Sequence, residues 1–409
     1  MNRTTPGFVP EPDLDELREL VATPTELTDF PHATEVRGNV PVYDGRQLAS
    51  ALVTVATRGG NIEQARQALH AEWAAARADG PGIVVLAGAF DTDVVDRTSA
   101  AFAAIIEEQR TAGDAAGDHF AKPGANDRIW NALEKLAVSD PAAFVDYYGN
   151  ALLAQASEAW LGPAYQVTSQ VNVVNPGGDG QTVHRDYHLG FLDDATAARY
   201  PAHVHRLSPA LTLQGAVAHD DMPVESGPTR YLPHSQKLLS GYLAWRRPDF
   251  SALFEEHQVQ LPLAKGDAVF FNPALYHAAG ANRTSDRRRM ANLLQVSSAF
   301  GRAMEAVDRH RVVTAIYPEL LRRRANAASA PTDSWDQGRA PSDPTEGLLD
   351  NVVAASAEGY PFPTNLDRDQ PVGGLTSPSQ ADLVRAALRA GEPPEALAAR
   401  LAEYADRRR

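Results

Sequence analysis

Seven short apolar segments in the chain alternate with turns rich in glycine and proline. They cover residues 166–175, 184–191, 211–218, 229–232, 259–263, 268–272 and 290–297. Short strands separated by such turns are typical of a β-sandwich or a jelly-roll barrel. Side chains alternate between the two faces of each strand, so residues far apart in sequence can converge at the mouth of a barrel.

The second segment carries the sequence His184-Arg185-Asp186, and His277 follows the sixth segment. Because strand side chains alternate, His184 and Asp186 point the same way and Arg185 points opposite. Two histidines and one carboxylate form the facial triad that binds non-haem Fe(II) and leaves positions open for other ligands. The spacing therefore predicts that His184, Asp186 and His277 are metal ligands at a catalytic centre.

A run of three arginines follows the distal histidine, and its middle member, Arg288, shares strand parity with Leu294. If Leu294 faces the core, Arg288 faces the barrel interior, whereas Arg287 and Arg289 face outward. A guanidinium in an apolar barrel needs an anion, and it suits bidentate capture of a carboxylate. The pattern predicts that Arg288 binds a carboxylate co-substrate, so we expect an oxygenase that uses 2-oxoglutarate. A buried ion pair with Asp or Glu is the structural alternative.

Three carboxamides interrupt otherwise apolar strands. Gln170 and Asn172 share one face of the first segment, and Gln214 lies in the third. We expect Gln170 and Asn172 to line the co-substrate pocket, and Gln214 is interpreted in the same way. Hydrogen-bonded amides within the core are the alternative for all three residues.

Other histidines compete for the metal. His219 and Asp221 form a second His-x-Asp pair at strand spacing and are a rival ligand set. His188 lies about 13 Å along the strand from the first histidine, which is too far for a facial triad, so we expect it near the substrate. His203 and His205 are interpreted as part of a polar loop over the pocket rather than as a metal pair.

The order and the residue patterns of several separated segments resemble those of the phytanoyl-CoA dioxygenase family of Fe(II)/2-oxoglutarate oxygenases. Besides the His-x-Asp segment, they include ESGPTRYLPHS at 225–235, GDAVFF at 266–271 and GANR at 280–283. The resemblance covers about residues 79–301. It implies an α+β fold, with a double-stranded β-helix (jelly-roll) barrel core, flanking helices and a helical C-terminal extension.

The resemblance also implies a chemistry. Fe(II) is held by His184, Asp186 and His277, and 2-oxoglutarate chelates the iron and pairs with Arg288. With O2, a small-molecule substrate is hydroxylated, and succinate and CO2 are released. Desaturation, epoxidation and ring closure stay open. Halogenation is disfavoured, because related halogenases lack the carboxylate that Asp186 supplies.

Three positions depart from the pattern of that family. Arg185 and Ala279 stand where phytanoyl-CoA hydroxylase itself carries a glutamine and a serine that helps to bind the co-substrate. His234 replaces the glycine of the usual Pro-Gly-Ser-His. These departures concern the substrate rather than the chemistry. Two other functional classes also stay open: a non-redox barrel metalloenzyme, such as a cupin-like isomerase, and a non-catalytic metal-binding barrel.

Composition narrows the range of partners. The 409-residue chain has a formal net charge of −14, which disfavours nucleic acids and anionic membranes as partners. It contains no cysteine, so disulfides and thiolate metal sites are excluded and His and carboxylates are left as ligands. The first twenty residues lack the apolar core of a signal peptide, and the apolar stretch 83–90 is too short to span a bilayer. We expect a cytoplasmic protein and leave its oligomeric state open.

Three units are predicted along the chain. Residues 1–60 are rich in proline and form an irregular arm. Residues 61–310 form the oxygenase domain with its helical flank. Residues 311–409 form a mostly helical C-terminal extension.

Overall fold

The computed structural model describes residues 7–57, 61–113, 125–328, 344–361, 365–371 and 373–408. The strands in these ranges are β1 (Glu35–Arg37), β2 (Val40–Asp44), β3 (Ile83–Ala87), β4 (Asn126–Ile129), β5 (Gln166–Val174), β6 (Thr212–Ala218), β7 (Arg230–Leu232), β8 (Val259–Gln260), β9 (Ala268–Phe271), β10 (Tyr276–Ala278) and β11 (Arg289–Ser297). The helices in the same ranges are α1 (Leu14–Val21), α2 (Gly45–Thr57), α3 (Ile62–Ala78), α4 (Thr92–Ala112), α5 (Ala132–Ser139), α6 (Pro141–Tyr148), α7 (Ala151–Leu161), α8 (Asp194–Ala197), α9 (Ala202–Ala210), α10 (Pro248–His257), α11 (Arg309–Ala328), α12 (Pro344–Ser356), α13 (Gln380–Ala390) and α14 (Pro394–Arg407).

The strands form two sheets that face each other. The larger sheet has the order β1-β2-β3-β9-β6-β11-β5-β4, and the smaller sheet has the order β10-β7-β8. An apolar layer joins them, in which the ring centroids of Phe271 on β9 and Tyr231 on β7 lie 5.1 Å apart. The α+β fold with a jelly-roll core is therefore confirmed. The interior of the barrel is the space between the two sheets.

Strand β11 shows how the large sheet divides its two faces. Leu294 belongs to the core cluster on the helix-covered face, and Asn292 donates from Nδ2 to the hydroxyls of Tyr147 and Tyr148 on α6. Gln295, of opposite parity, accepts from a glutamine on β5 on the face turned towards the small sheet. Odd-numbered residues of β11 therefore line the barrel interior, and even-numbered residues pack against helices.

Helices cover the outer face of the large sheet. One apolar cluster joins buried residues of the flanking helices, such as Phe144 of α6, to residues of the C-terminal helices, such as Ile316 of α11 and Leu397 of α14. Among the described residues, no helix combines the length and the apolar character that crossing a bilayer would need.

The N-terminal region differs from the irregular arm predicted for residues 1–60, of which 1–6 and 58–60 lie outside the described residues. It contains α1 and two strands, and β2 pairs in parallel with β3, with Val42 opposite Val85. Val42 is 4% exposed, so β2 completes the apolar layer of the barrel rather than lying over it. The division of the chain into three units stays a prediction.

The strand predicted over residues 184–191 is much shorter than expected. His184 forms an isolated bridge with His277, and residues 188–191 form a 3-10 helix. The chain turns at Tyr187, whose φ of 53° and ψ of 162° leave the strand region. Hydrophobic alternation could not reveal this turn, because its first residue is a tyrosine and the only glycine of the segment, Gly190, comes three residues later.

Candidate active site

Backbone pairing brings the predicted metal ligands together. His184 and His277 exchange backbone hydrogen bonds, with His184 N 2.9 Å from His277 O and His277 N 3.2 Å from His184 O. Asp186 is anchored close by, because its N donates to Pro273 O at 2.9 Å. One side-chain ligand atom from each of His184, Asp186 and His277 lies within 4.8 Å of the others. Within the described part of the chain, this is the one such group of three or more His, Asp or Glu residues.

The histidine rings are oriented by backbone carbonyls. His184 Nδ1 lies 2.9 Å from Thr182 O, and His277 Nδ1 lies 2.8 Å from Leu275 O. Because a carbonyl oxygen only accepts, Nδ1 is the donor in both rings, and each ring therefore turns its Nε2 towards the other ligands. Each Nε2 faces Asp186 Oδ2, at 3.8 Å for His184 and 3.3 Å for His277. Two imidazole nitrogens and a carboxylate that converge in this way can hold a cation between them.

The Asp186 carboxylate is held in its charged form. Burial acts to raise the pKa of Asp186, but His184, His277 and the amide of Gln214 together hold the pKa below its usual range. Gln214 on β6 donates from Nε2 to Asp186 Oδ2. Sequence reasoning treated Gln214 only as a pocket-lining residue or a core amide. An ionised carboxylate is what binding of a divalent cation requires.

Arg288 does not enter the barrel, so the parity prediction is wrong. Its side chain is 54% exposed, and it donates to Asp127 Oδ2 at 3.0 Å and to Asn175 Oδ1 at 3.2 Å. The error has a physical cause: both faces of the large sheet are buried, so the burial of Leu294 does not identify the barrel face.

Arg289 is the inward arginine. It is 7% exposed, and its Nη1 lies 3.4 Å from Gly280 O. Burial lowers the pKa of Arg289 to about 10, an effect that Tyr231 of the small sheet opposes. Arg289 forms no ion pair with a carboxylate among the described residues. A buried guanidinium without a protein anion is suited to an anionic ligand.

Gln170 and Asn172 lie on the barrel face of β5, as expected, but both contact protein side chains. Gln170 Nε2 lies 3.4 Å from Gln295 Oε1, and Arg128 donates to Gln170 Oε1. Asn172 Oδ1 accepts weakly from Asn126 at 3.5 Å. Their part in binding the co-substrate stays a prediction.

Sequence reasoning missed Arg128, a basic residue beside the pocket. It lies on β4, and its guanidinium stacks over the Trp130 ring, with Cζ 4.5 Å from the ring centroid. The Arg-x-Trp spacing at the end of a short strand was the available signal.

The rival histidine His219 is a core residue. It is 1% exposed, and its two ring nitrogens lie 2.8 Å from the hydroxyls of Tyr147 and Ser99. Burial lowers the pKa of His219 to about 3, so the ring is neutral. His219 lies on the helix-covered face, away from His277, and is not a candidate ligand.

The other histidines are also held by protein contacts. His188 has φ of 46° and its Nδ1 lies 3.5 Å from Ser208 Oγ. His205 is buried within α9, with Nε2 3.1 Å from Ala197 O, so the polar loop predicted for His203 and His205 is instead a helix. His234 has φ of 71°, which explains why a glycine is usual at this position.

The neutral state of His219 predicts acid sensitivity. Between about pH 6.5 and 3 the unfolded chain binds one more proton at this residue than the folded chain, so the free energy of unfolding falls as the pH falls. From His219 alone we expect a loss of about 2 kcal/mol between pH 7 and pH 5. Denaturant unfolding at the two pH values measures it. His219→Gln should lose less stability over this interval, and an equal loss would show that His219 does not carry the effect.

The fold and the triad together define a class of protein. Two histidines and a carboxylate between the sheets of a jelly-roll fit barrel metalloproteins that bind a divalent cation through a facial triad. Residues 78–290, just over half of the chain, match the family described as Phytanoyl-CoA dioxygenase (PhyH). The chain belongs to this family of dioxygenases.

Individual relatives match over shorter stretches. The Emericella variicolor protein "Dioxygenase andF" is 31% identical over 119 residues, which are 28% of this chain and 35% of the relative. An uncharacterized protein of Saccharomyces cerevisiae is 41% identical over 73 residues, which are 18% of this chain and 19% of that protein. The chain therefore aligns with about a third or less of either relative.

Two solved structures are similar to part of the chain. The non-heme alpha ketoglutarate dependent epimerase SnoN has 22% identity and a TM-score of 0.39, covering 56% of this chain and 80% of that chain. The carbocyclase SnoK has 19% identity and a TM-score of 0.41, covering 55% of this chain and 83% of that chain.

Proposed function

We propose that the protein is a non-haem Fe(II)- and 2-oxoglutarate-dependent dioxygenase that hydroxylates a small-molecule substrate. One observation carries the proposal: the Nε2 atoms of His184 and His277 converge on the carboxylate of Asp186. Family membership agrees with it.

The donor set fits Fe(II). His184 Nε2, His277 Nε2 and the Asp186 carboxylate would hold the ion, and imidazole with carboxylate suits iron in this geometry. When bound, Fe(II) with 2-oxoglutarate and O2 supplies an oxidant for an unactivated C–H bond, and succinate and CO2 are released. The protein orients both rings through their Nδ1 protons and keeps Asp186 ionised.

Arg289 is the proposed anchor of the 2-oxoglutarate carboxylate that is remote from the metal. It replaces Arg288 in this role, because it is the arginine that enters the barrel. Burial strengthens a charge-assisted pair with that carboxylate and excludes water from it. Arg289 therefore supplies affinity for a dicarboxylate co-substrate.

Succinate release tests the function. The purified chain is incubated with Fe(II), 2-oxoglutarate and metabolite pools, and succinate and products are quantified by mass spectrometry. We expect substrate-stimulated succinate, one per coupled turnover, with oxygen added to the product. Asp186 would supply the third protein ligand to the metal, where related halogenases lack a carboxylate. We therefore expect no halogenated product, even in saturating chloride.

Other outcomes separate the alternatives. Metal binding without 2-oxoglutarate turnover would indicate a non-redox barrel enzyme or a metal-binding protein instead of a dioxygenase. A halogenated product would overturn the hydroxylase assignment and leave only the metal site.

A further inference from the structure

Arg185 stands between two proposed metal ligands in the sequence, and its side chain is buried. It is 2% exposed, and no ion pair between described residues includes it. A guanidinium stays charged in a protein, so burying it without an anion costs free energy unless its neighbours stabilise it. The neighbours of Arg185 must therefore offset that cost.

Two tyrosine rings flank the guanidinium. Arg185 Cζ lies 5.1 Å from the ring centroid of Tyr242 and 5.0 Å from that of Tyr276. Its Nη2 donates to Ser235 O at 2.5 Å. Aromatic rings attract a cation at this distance, and the attraction strengthens where water is excluded. A Cβ atom on Gly241 would lie 1.9 Å from Cζ, so there is room for the guanidinium only because residue 241 is glycine.

Tyr276 connects the guanidinium to the third ligand. It directly precedes His277 on β10, so the two side chains point to opposite faces of the strand and Arg185 lies behind the metal site. The N of Tyr276 donates to Ser235 Oγ at 2.8 Å, and its hydroxyl donates to Gly241 O at 3.1 Å. The ring is fully buried and held at both ends, so a shift of the guanidinium would be transmitted to the backbone of His277.

Tyr242 connects the guanidinium to the other two ligands. Its hydroxyl donates to Asp186 O at 3.3 Å, and the residue is 1% exposed. The backbone of His184 pairs with that of His277 through an isolated bridge, which is a short connection between two segments that must share a metal. The contacts of Arg185 add a second connection between these segments, on the side away from the metal.

We propose that Arg185 is a positioning residue for the metal site: its guanidinium, held between two tyrosine rings, fixes the His-x-Asp segment against His277. The inference rests on the proposed function, because it takes these residues as metal ligands. Loss of the guanidinium leaves all three ligands in the chain but removes a support for their spacing. We therefore expect weaker metal binding rather than none.

Metal affinity tests the inference without any need for a known substrate. Co(II), a divalent probe with a visible spectrum, is titrated into the metal-free full-length chain by calorimetry, and the spectrum of the complex is recorded. Arg185→Met keeps an unbranched side chain but loses the charge and the donors, so it should weaken binding by about tenfold and alter the spectrum. Arg185→Lys keeps the charge without the planar group, and we expect an intermediate affinity.

Arg309→Met is the matched control. Arg309 is also buried, and it donates to the backbone carbonyls of Val167, Ala355 and Ser356 rather than to a segment that carries a ligand. This variant should lower the melting temperature and leave the Co(II) affinity and spectrum unchanged. An affinity loss equal to that of Arg185→Met would assign both effects to general destabilisation and overturn the inference.

Gly241→Ala moves the guanidinium while leaving Arg185 in the sequence. Its methyl group would occupy the place of Cζ, so it should weaken Co(II) binding about as much as Arg185→Met does. Methionine has no atom at the place of Cζ, so adding Gly241→Ala to Arg185→Met should weaken binding no further. Should Arg185→Met melt below the assay temperature, Gly241→Ala and Arg185→Lys carry the test.

The remaining outcomes separate the inference from the proposed function. Wild-type affinity in Arg185→Met or in Gly241→Ala, or additive losses in the double variant, would overturn the inference while leaving the metal site in place. Failure of the wild-type chain to bind Co(II) would instead overturn the proposed function and the inference with it.

Discussion

Replacement of His184, Asp186 or His277 by alanine is expected to abolish iron binding and turnover while leaving the fold intact. Each change removes one of three ligands, so metal affinity should fall by more than about a hundredfold, which is beyond the effect of losing a ligand's hydrogen-bond partner. Anaerobic Fe(II) titration measures the loss, and far-UV circular dichroism checks the fold.

His219→Ala is the matched control for the ligand variants. It removes the histidine of the second His-x-Asp pair, which bonds to Tyr147 and Ser99 on the other face of the sheet. This variant should bind iron as the wild type does, although it should be less stable. Loss of iron in His219→Ala, with retention in His184→Ala, would refute the ligand assignment.

The second large effect concerns the three adjacent arginines. Arg289→Ala should raise the KM for 2-oxoglutarate by roughly tenfold to a hundredfold, because a charge-assisted hydrogen bond contributes about 1.5–3 kcal/mol. Arg289→Lys keeps the charge but loses the planar pair of donors, so we expect an intermediate KM. Steady-state succinate formation at varied 2-oxoglutarate gives these values.

Arg287→Ala and Arg288→Ala are the controls for this series. Arg288 is exposed and paired with Asp127, and Arg287 is also exposed, so both variants should keep a KM close to that of the wild type. A large KM effect at Arg288 together with none at Arg289 would restore the original parity prediction.

Much of the fold and the triad could be predicted from the sequence, because the signals are local or pairwise. Alternating apolar segments predict strands, and the His-x-Asp spacing predicts two side chains on one face. The structure brings His277 beside them through a single bridge to His184. The resemblance to a known family supplied the barrel closure that no local pattern contains.

The errors arose where local patterns are ambiguous. Arg288 and Arg289 are adjacent, so their side chains lie on opposite faces of the sheet. Because both faces are buried, the alternation of apolar residues does not show which arginine enters the barrel. Strand β2 pairs in parallel with β3 across about forty residues, a contact that its own five residues do not predict. The turn begins at Tyr187, a residue type that does not signal a turn, and it depends on tertiary packing, so the predicted strand extended too far.

The apolar cluster that joins the flanking helices to the C-terminal helices has a consequence for biosynthesis. Tyr43 and Leu401 belong to this one cluster although they are 358 positions apart in the chain. At translation rates of about 5–20 residues per second, roughly 20–70 seconds separate their emergence from the ribosome. During that interval the apolar faces of the early elements lack their final partners, so the nascent chain is open to aggregation. The core can therefore reach its final packing only after α14 has been synthesised.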